Sequence, residues 1–189
     1  MGLLANALFR TIDTARNNLV QNLVRRTNDL NLAISSVKQE DKPGLLVELW
    51  PKMTKEEKPK LLLKVWKNHL PNAYYGYDWW LPLFEEVGFF SNCGAEKPEK
   101  EVTLFRGVEP DPQYLRGMSW TPFIYLAEIA VEHKSGPARV FTTKVKPEAI
   151  LAIVQGQIIS KRYKGIRPYT EFIIDYRKLN LEDIREYKN

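Results

Sequence analysis

Tyr169-Thr170-Glu171-Phe172-Ile173-Ile174 places one carboxylate at the start of an apolar, β-branched run. Such a run reads as a buried strand, with the glutamate where the sheet edge meets a cleft. Two upstream stretches have the same form. Leu104-Phe105-Arg106-Gly107 brings an arginine to the end of a strand-like run, and Gly117-Met118-Ser119-Trp120-Thr121 brings a serine. Arginine and serine stand 13 positions apart, serine and glutamate 52. Around them the pattern predicts strands over 101–106, 138–145, 149–154 and 169–175, rich in Val, Ile, Phe and Thr. Between the first two, Thr121-Pro122 predicts a helix through Ile124, Leu126, Ala127, Ala130 and Val131, with threonine as its cap and proline in its first turn.

The polar stretch 91–100 marks a change of pattern, and before it the chain reads as helical. Leu8, Ile12, Ala15, Leu19, Leu23, Leu30, Ile34 and Val37 form one apolar stripe, predicting a helix over 3–38 with a break near 27–29. Asp41-Lys42-Pro43-Gly44 is expected to end it. Thr54-Lys55-Glu56-Glu57 has the spacing of a capping box ahead of Leu61, Leu62, Val65, Trp66 and Leu70. The segment 74–80 holds five aromatics in seven residues, either a core plug or a surface on which a base or nicotinamide ring could stack. Asp78 is the expected N-cap of a short helix ending at Gly88.

Composition narrows the classes. With 44% hydrophobic and 12% aromatic residues, the chain can bury a core. One cysteine, Cys93, leaves no internal disulfide and no cysteine zinc cluster, and His69 and His133 lack metal-pair spacing. No structural metal is expected. No run approaches the roughly 18 apolar residues of a membrane span, and the N-terminus resembles neither a signal peptide nor a complete myristoylation site. A cytoplasmic protein is therefore expected. The net charge of +5 is spread along the chain, so it gives no general nucleic-acid affinity. One local exception is 159–168, with Lys161, Arg162, Lys164 and Arg167 and no acid.

Arg106, Ser119 and Glu171, in this order and context, resemble the arginine–serine–glutamate signature of ADP-ribosyltransferases over about residues 100–180, in the manner of small phage- or toxin-like members. The resemblance implies an α+β fold, in which a helical accessory region (1–95) precedes an ADP-ribosyltransferase-like split β-sandwich (96–189). It implies NAD as co-substrate and a phage or mobile-element effector in the host cytoplasm, with no membrane partner. Arg106 and Gly107 would hold NAD, and Ser119, Trp120 and Thr121 would match the family's Ser-Thr-Ser motif around the nicotinamide ribose. Glu171 would be catalytic, stabilising charge beside the ribose. Ser119 would brace that site. Arginine-modifying members carry a glutamate two residues before the catalytic one, and several toxins a glutamine. Tyr169 stands there, so the resemblance gives no arginine acceptor. Tyr169, Lys161, Arg162 and Lys164 would then contact the target, an acidic protein surface or a nucleic-acid backbone.

Each residue also has an ordinary reading. Arg106 suits a surface ion pair, Ser119-Trp120-Thr121 a strand with its tryptophan in the core, and Glu171 an outward position alternating with Asp175. Three functions remain open: a mono-ADP-ribosyltransferase modifying a host protein or nucleic acid, an inert binding protein of the same fold acting as an inhibitor, and an NAD glycohydrolase. Residues 1–90 could hold the target, cap the cleft or self-associate.

Overall fold

The computed structural model describes residues 22, 29–67, 75–134, 136–160 and 163–188. The chain divides into two compact units, Met1–Gly76 and Tyr77–Asn189, and its fold is α+β with two separate sheets.

In the first unit, helix α1 (Leu30–Ser36) starts at Asp29, whose carboxylate accepts from the Leu32 N–H at 3.0 Å. This is the start expected after the break near 27–29, and of the earlier part of the predicted long helix only Asn22, helical, is among the described residues. Asp41-Lys42-Pro43-Gly44 does not end a helix but opens one. Helix α2 (Lys42–Leu49) takes Pro43 in its first turn, where the missing N–H costs nothing. The capping box is formed: the Thr54 N–H donates to Glu57 Oε2 at 2.8 Å and the Glu57 N–H to Thr54 Oγ1 at 3.2 Å. Helix α3 (Glu57–Lys67) follows, with Leu61, Leu62, Val65 and Trp66 buried. Leu70 lies outside the described residues.

The second unit begins with helix α4 (Tyr77–Val87), earlier than the change of pattern at 91–100 suggested. The reason is burial. Trp80, Leu81, Leu83 and Phe84 are buried, and Phe84 stacks on Phe90 with ring centroids 6.0 Å apart. Phe90 already belongs to a strand, β1 (Phe90–Ser91). Asp78 sits in the first turn of α4 instead of capping it, and Gly88 ends the helix at φ +75°.

One sheet has the order β1–β5–β6–β3, comprising β5 (Ile150–Ser160), β6 (Gly165–Ile174) and β3 (Ser119–Trp120); the other has the order β2–β4–β7, comprising β2 (Val102–Val108), β4 (Arg139–Val145) and β7 (Arg185–Glu186). Among the described residues, one bridge joins them. Phe105 on β2 bridges Thr121, directly after β3, through paired backbone hydrogen bonds of 2.7 and 2.9 Å. Between the sheets lies a core containing Leu104, Val108, Trp120, Phe141, Ile153, Phe172 and Ile174. A one-turn helix, α5 (Pro112–Leu115), leads into β3. The helix after β3, α6 (Ile124–Glu132), begins later than Thr121-Pro122 predicted. Thr121 Oγ1 instead accepts the Phe123 N–H at 3.2 Å, a local turn leading into the helix.

Strands β5 and β6 run further than the predicted segments and form one long antiparallel hairpin, from Ile150↔Ile174 out to Ser160↔Gly165. β-Branched Ile158, Ile159 and Ile166 extend strand character into what composition marked as a basic loop. No helix among the described residues is long and apolar enough to cross a membrane.

Candidate active site

Arg106 leaves β2 next to the bridge between the sheets, and its guanidinium is held at all three nitrogens. Nε donates to the Tyr114 carbonyl at 3.3 Å, Nη1 to the Ser119 carbonyl at 2.6 Å, and Nη2 to the Tyr77 hydroxyl at 2.9 Å. This is no surface ion pair, since three uncharged oxygens fix the side chain and its charge is left unneutralised by them. Gly117 makes room for it: a Cβ there would lie 2.5 Å from the guanidinium carbon. Sequence pattern alone assigns Gly117 no role. The signal was a small residue two positions before the serine, where a long side chain from a neighbouring strand must cross.

Ser119 sits on β3, opposite Ile173 of β6, and Trp120 is opposite Phe172. Directly opposed residues in an antiparallel pair share a face, and alternate residues do too. Ser119 and Glu171 therefore lie on one face of the sheet, with Trp120 and Phe172 on the core face. Among the described residues the Ser119 hydroxyl has no hydrogen-bond partner. Arg106 shares its face of β2 with Leu104 and Val108 of the core, so it starts from the core face, opposite to that of Ser119 and Glu171, and meets this segment through its guanidinium on the Ser119 carbonyl. Glu171 is half-buried and pairs in register with Val154 of β5.

Two residues of the expected cofactor set have other work. Trp120 is only 2% exposed, belongs to the core, and donates its indole N–H to the Gly117 carbonyl at 2.7 Å. It takes the ordinary reading of the motif. At Gly107 a Cβ would meet the Ala127 carbonyl oxygen at 2.0 Å, so this glycine lets α6 approach β2 and leaves no space for a ligand on that side. Thr121 is buried, and its backbone forms the bridge to β2.

Tyr169 lies beside Glu171 and across Gly156, where a Cβ would be 2.5 Å from its ring. Burial first, and then the nearby Glu171 charge, push its hydroxyl above the ordinary tyrosine pKa. Of the basic target-contacting set, Lys164 is exposed at the hairpin tip with φ +44°, while Lys161 and Arg162 fall outside the described residues. Tyr163 is not free in this turn: its hydroxyl donates to Glu128 Oε2 of α6 at 2.7 Å. Sequence reading missed Ile159 and Ile166, opposed across the hairpin and 74% and 64% exposed. It also took Asp175 for a surface group. Asp175 is 1% exposed and accepts from the Arg177 backbone N–H (3.1 Å), Nε (2.9 Å) and Nη2 (3.0 Å).

Elsewhere on the unit, a groove of about 830 Å³ opens beside the far end of β2, lined by Thr103, Lys144, Lys146, Lys178 and Arg185 together with acidic residues. It shares no lining residue with the Arg106 set. Its mixed charges and open form make it a surface groove.

Comparison with known proteins finds no matching family model, no matching curated protein and no matching solved structure.

Proposed function

We infer that this chain is an NAD-dependent mono-ADP-ribosyltransferase whose second unit is a divergent split β-sandwich of that class. The observation that carries the inference is that Ser119 and Glu171 share a face of adjacent strands while the Arg106 guanidinium bonds the Ser119 backbone at 2.6 Å. Each residue answers one demand of the chemistry. Arg106 offers a fixed cation to the NAD diphosphate. The unpartnered Ser119 hydroxyl is available to the nicotinamide ribose. The Glu171 carboxylate accepts from the ribose 2′-hydroxyl and stabilises the positive charge that develops at C1′.

In the reaction the C1′–N bond of NAD breaks and its electron pair leaves with neutral nicotinamide. A nucleophile of the acceptor then forms a bond to C1′ and gives up its proton. The acceptor is a protein or nucleic acid of a host cell, as expected of a phage or mobile-element effector, and the β5–β6 hairpin beside Glu171 is the part of the unit best placed to meet it.

The test is incubation of purified protein with adenylate-labelled NAD and a bacterial lysate, beside a Glu171→Gln variant. Label attached to protein or nucleic acid by wild type alone is the expected result. Free ADP-ribose without attachment would make the chain an NAD glycohydrolase. No turnover in either sample would leave the inert binding protein, a reading that Trp120 in the core favours.

A further inference from the structure

Tyr77 comes from the aromatic segment 74–80, outside the stretch that carries the signature, yet its hydroxyl sits on Arg106. The ordinary and functional readings of that segment divide between its residues. Trp80 is fully buried core, whereas Tyr77 is half-buried at the guanidinium. We propose that Tyr77 is a ligand-contacting residue of the Arg106 site: it aims the guanidinium and donates its own hydroxyl proton to the same anionic group, the diphosphate of the nucleotide. This rests on the NAD assignment above and extends it to a residue on α4.

The argument is one of donors and acceptors. Arginine has five N–H donors and no acceptor, so in the 2.9 Å contact Tyr77 must accept. Its O–H proton is not used there, and among the described residues it has no acceptor. Three guanidinium N–H groups are committed to Tyr114, Ser119 and Tyr77, leaving one on Nη1 and one on Nη2. Two N–H donors and one O–H donor therefore stand together beside a positive charge, without acceptors. A phosphate group supplies several acceptor oxygens and the opposite charge.

The Tyr77 ring is also held in place. The Tyr176 ring packs against it at 5.6 Å, tilted by 45°, and the Tyr176 hydroxyl donates to the Asp78 carboxylate. Burial and that hydrogen bond push the Tyr176 hydroxyl up to about 12. The Tyr176 proton is thus committed to Asp78, while the Tyr77 proton has no acceptor among the described residues. The Arg106 guanidinium lies 6.0 Å from the Tyr77 ring centre, which adds a weak cation–π attraction to the alignment.

Calorimetric titration of the full chain with NAD and, separately, with inorganic pyrophosphate tests this. Tyr77→Phe deletes one oxygen, and it should weaken both ligands about 10-fold, as expected for a hydrogen bond to a charged group. Tyr176→Phe keeps the Tyr77 hydroxyl and should stay within about twofold of wild type. If wild type binds pyrophosphate but not NAD, and Tyr77→Phe loses it, the anion contact stands and the NAD assignment fails. Wild-type affinities in Tyr77→Phe would overturn the contact while leaving the NAD assignment intact. Binding of neither ligand to wild type would overturn both. Should Tyr77→Phe not fold, the Arg106 side-chain and Tyr77 ring resonances of wild type can be followed through a pyrophosphate titration. Both should shift with one half-saturation point, and a static Tyr77 would overturn the contact.

Discussion

A methyl group at Gly107 would lie 2.0 Å from the Ala127 carbonyl oxygen, whereas one at Gly117 would lie 2.5 Å from the Arg106 guanidinium carbon. The first obstacle is backbone of a packed helix and the second is the end of a flexible side chain, so the same substitution has different consequences. Gly107→Ala should cost about 3 kcal/mol, the upper range for overpacking, seen as a large fall in melting temperature. Gly117→Ala should cost about 1 kcal/mol and lower NAD affinity about 10-fold by displacing Arg106. Equal losses of stability would contradict the division of roles. Asp175 carries a second prediction. Burial alone would raise its pKa, but the Arg177 hydrogen bonds and the Arg177 and Lys178 charges outweigh burial and hold it below the ordinary carboxylate value of 3.8. A depressed folded pKa stabilises the protein above the unfolded pKa, and that contribution is lost as pH falls through the folded value. Wild-type melting temperature should therefore drop steeply below about pH 4. Asp175→Asn should show a flatter acid limb and a loss of about 1–2 kcal/mol at pH 7, moderated because Arg177 is half exposed. An identical acid limb in the variant would count against this pairing.

At the scale of elements, the hairpin β5–β6 outgrows its sheet. β1 pairs only with Ala152 and Ile153, and β3 only with Phe172 and Ile173, so 155–160 and 165–170 form a two-stranded ribbon. Such ribbons are marginal alone. This one is tied to α6 by Tyr125, which donates to the Pro168 carbonyl at 2.9 Å, and by Tyr163 on Glu128. Its described tip carries Lys164 next to the exposed Ile159–Ile166 pair, and Lys161 and Arg162 follow Ser160 in the sequence. Replacing the three cations by Ala should leave NAD binding within about twofold and reduce labelling of the acceptor at least 10-fold. Unchanged labelling would exclude the ribbon from acceptor recognition. Much of the element structure was legible: β2, β4 and the inner part of β6 follow their Val, Ile, Phe and Thr runs, and Thr54 and Glu57 form their box. The failures have local causes. Pro43 opens a helix because the first turn needs no proline N–H. Thr121 could not cap α6 because its backbone is taken by Phe105.

For the whole molecule, the sequence separated a helical part from a sheet-bearing part but set the division near 95, whereas the sheet-bearing unit begins at Tyr77. The signature stretches carried no mark of α4, and only tertiary packing attaches Trp80, Phe84 and Tyr77 to that unit. Arg106, Ser119 and Glu171 were legible because each interrupts an apolar run with one polar group. Gly117 and Tyr77 were not, since their roles depend on where the Arg106 side chain ends. Arg106, Ser119 and Glu171 are proposed to cleave NAD at the nicotinamide bond. Chromatographic measurement of nicotinamide released from NAD by purified wild type and Glu171→Gln tests this most directly, because water can serve as acceptor when no target is present. Release by wild type, reduced about 100-fold or more in the variant while NAD binding and melting temperature persist, is the predicted result. Equal release by the two proteins, or none by wild type in the presence of lysate, would contradict it.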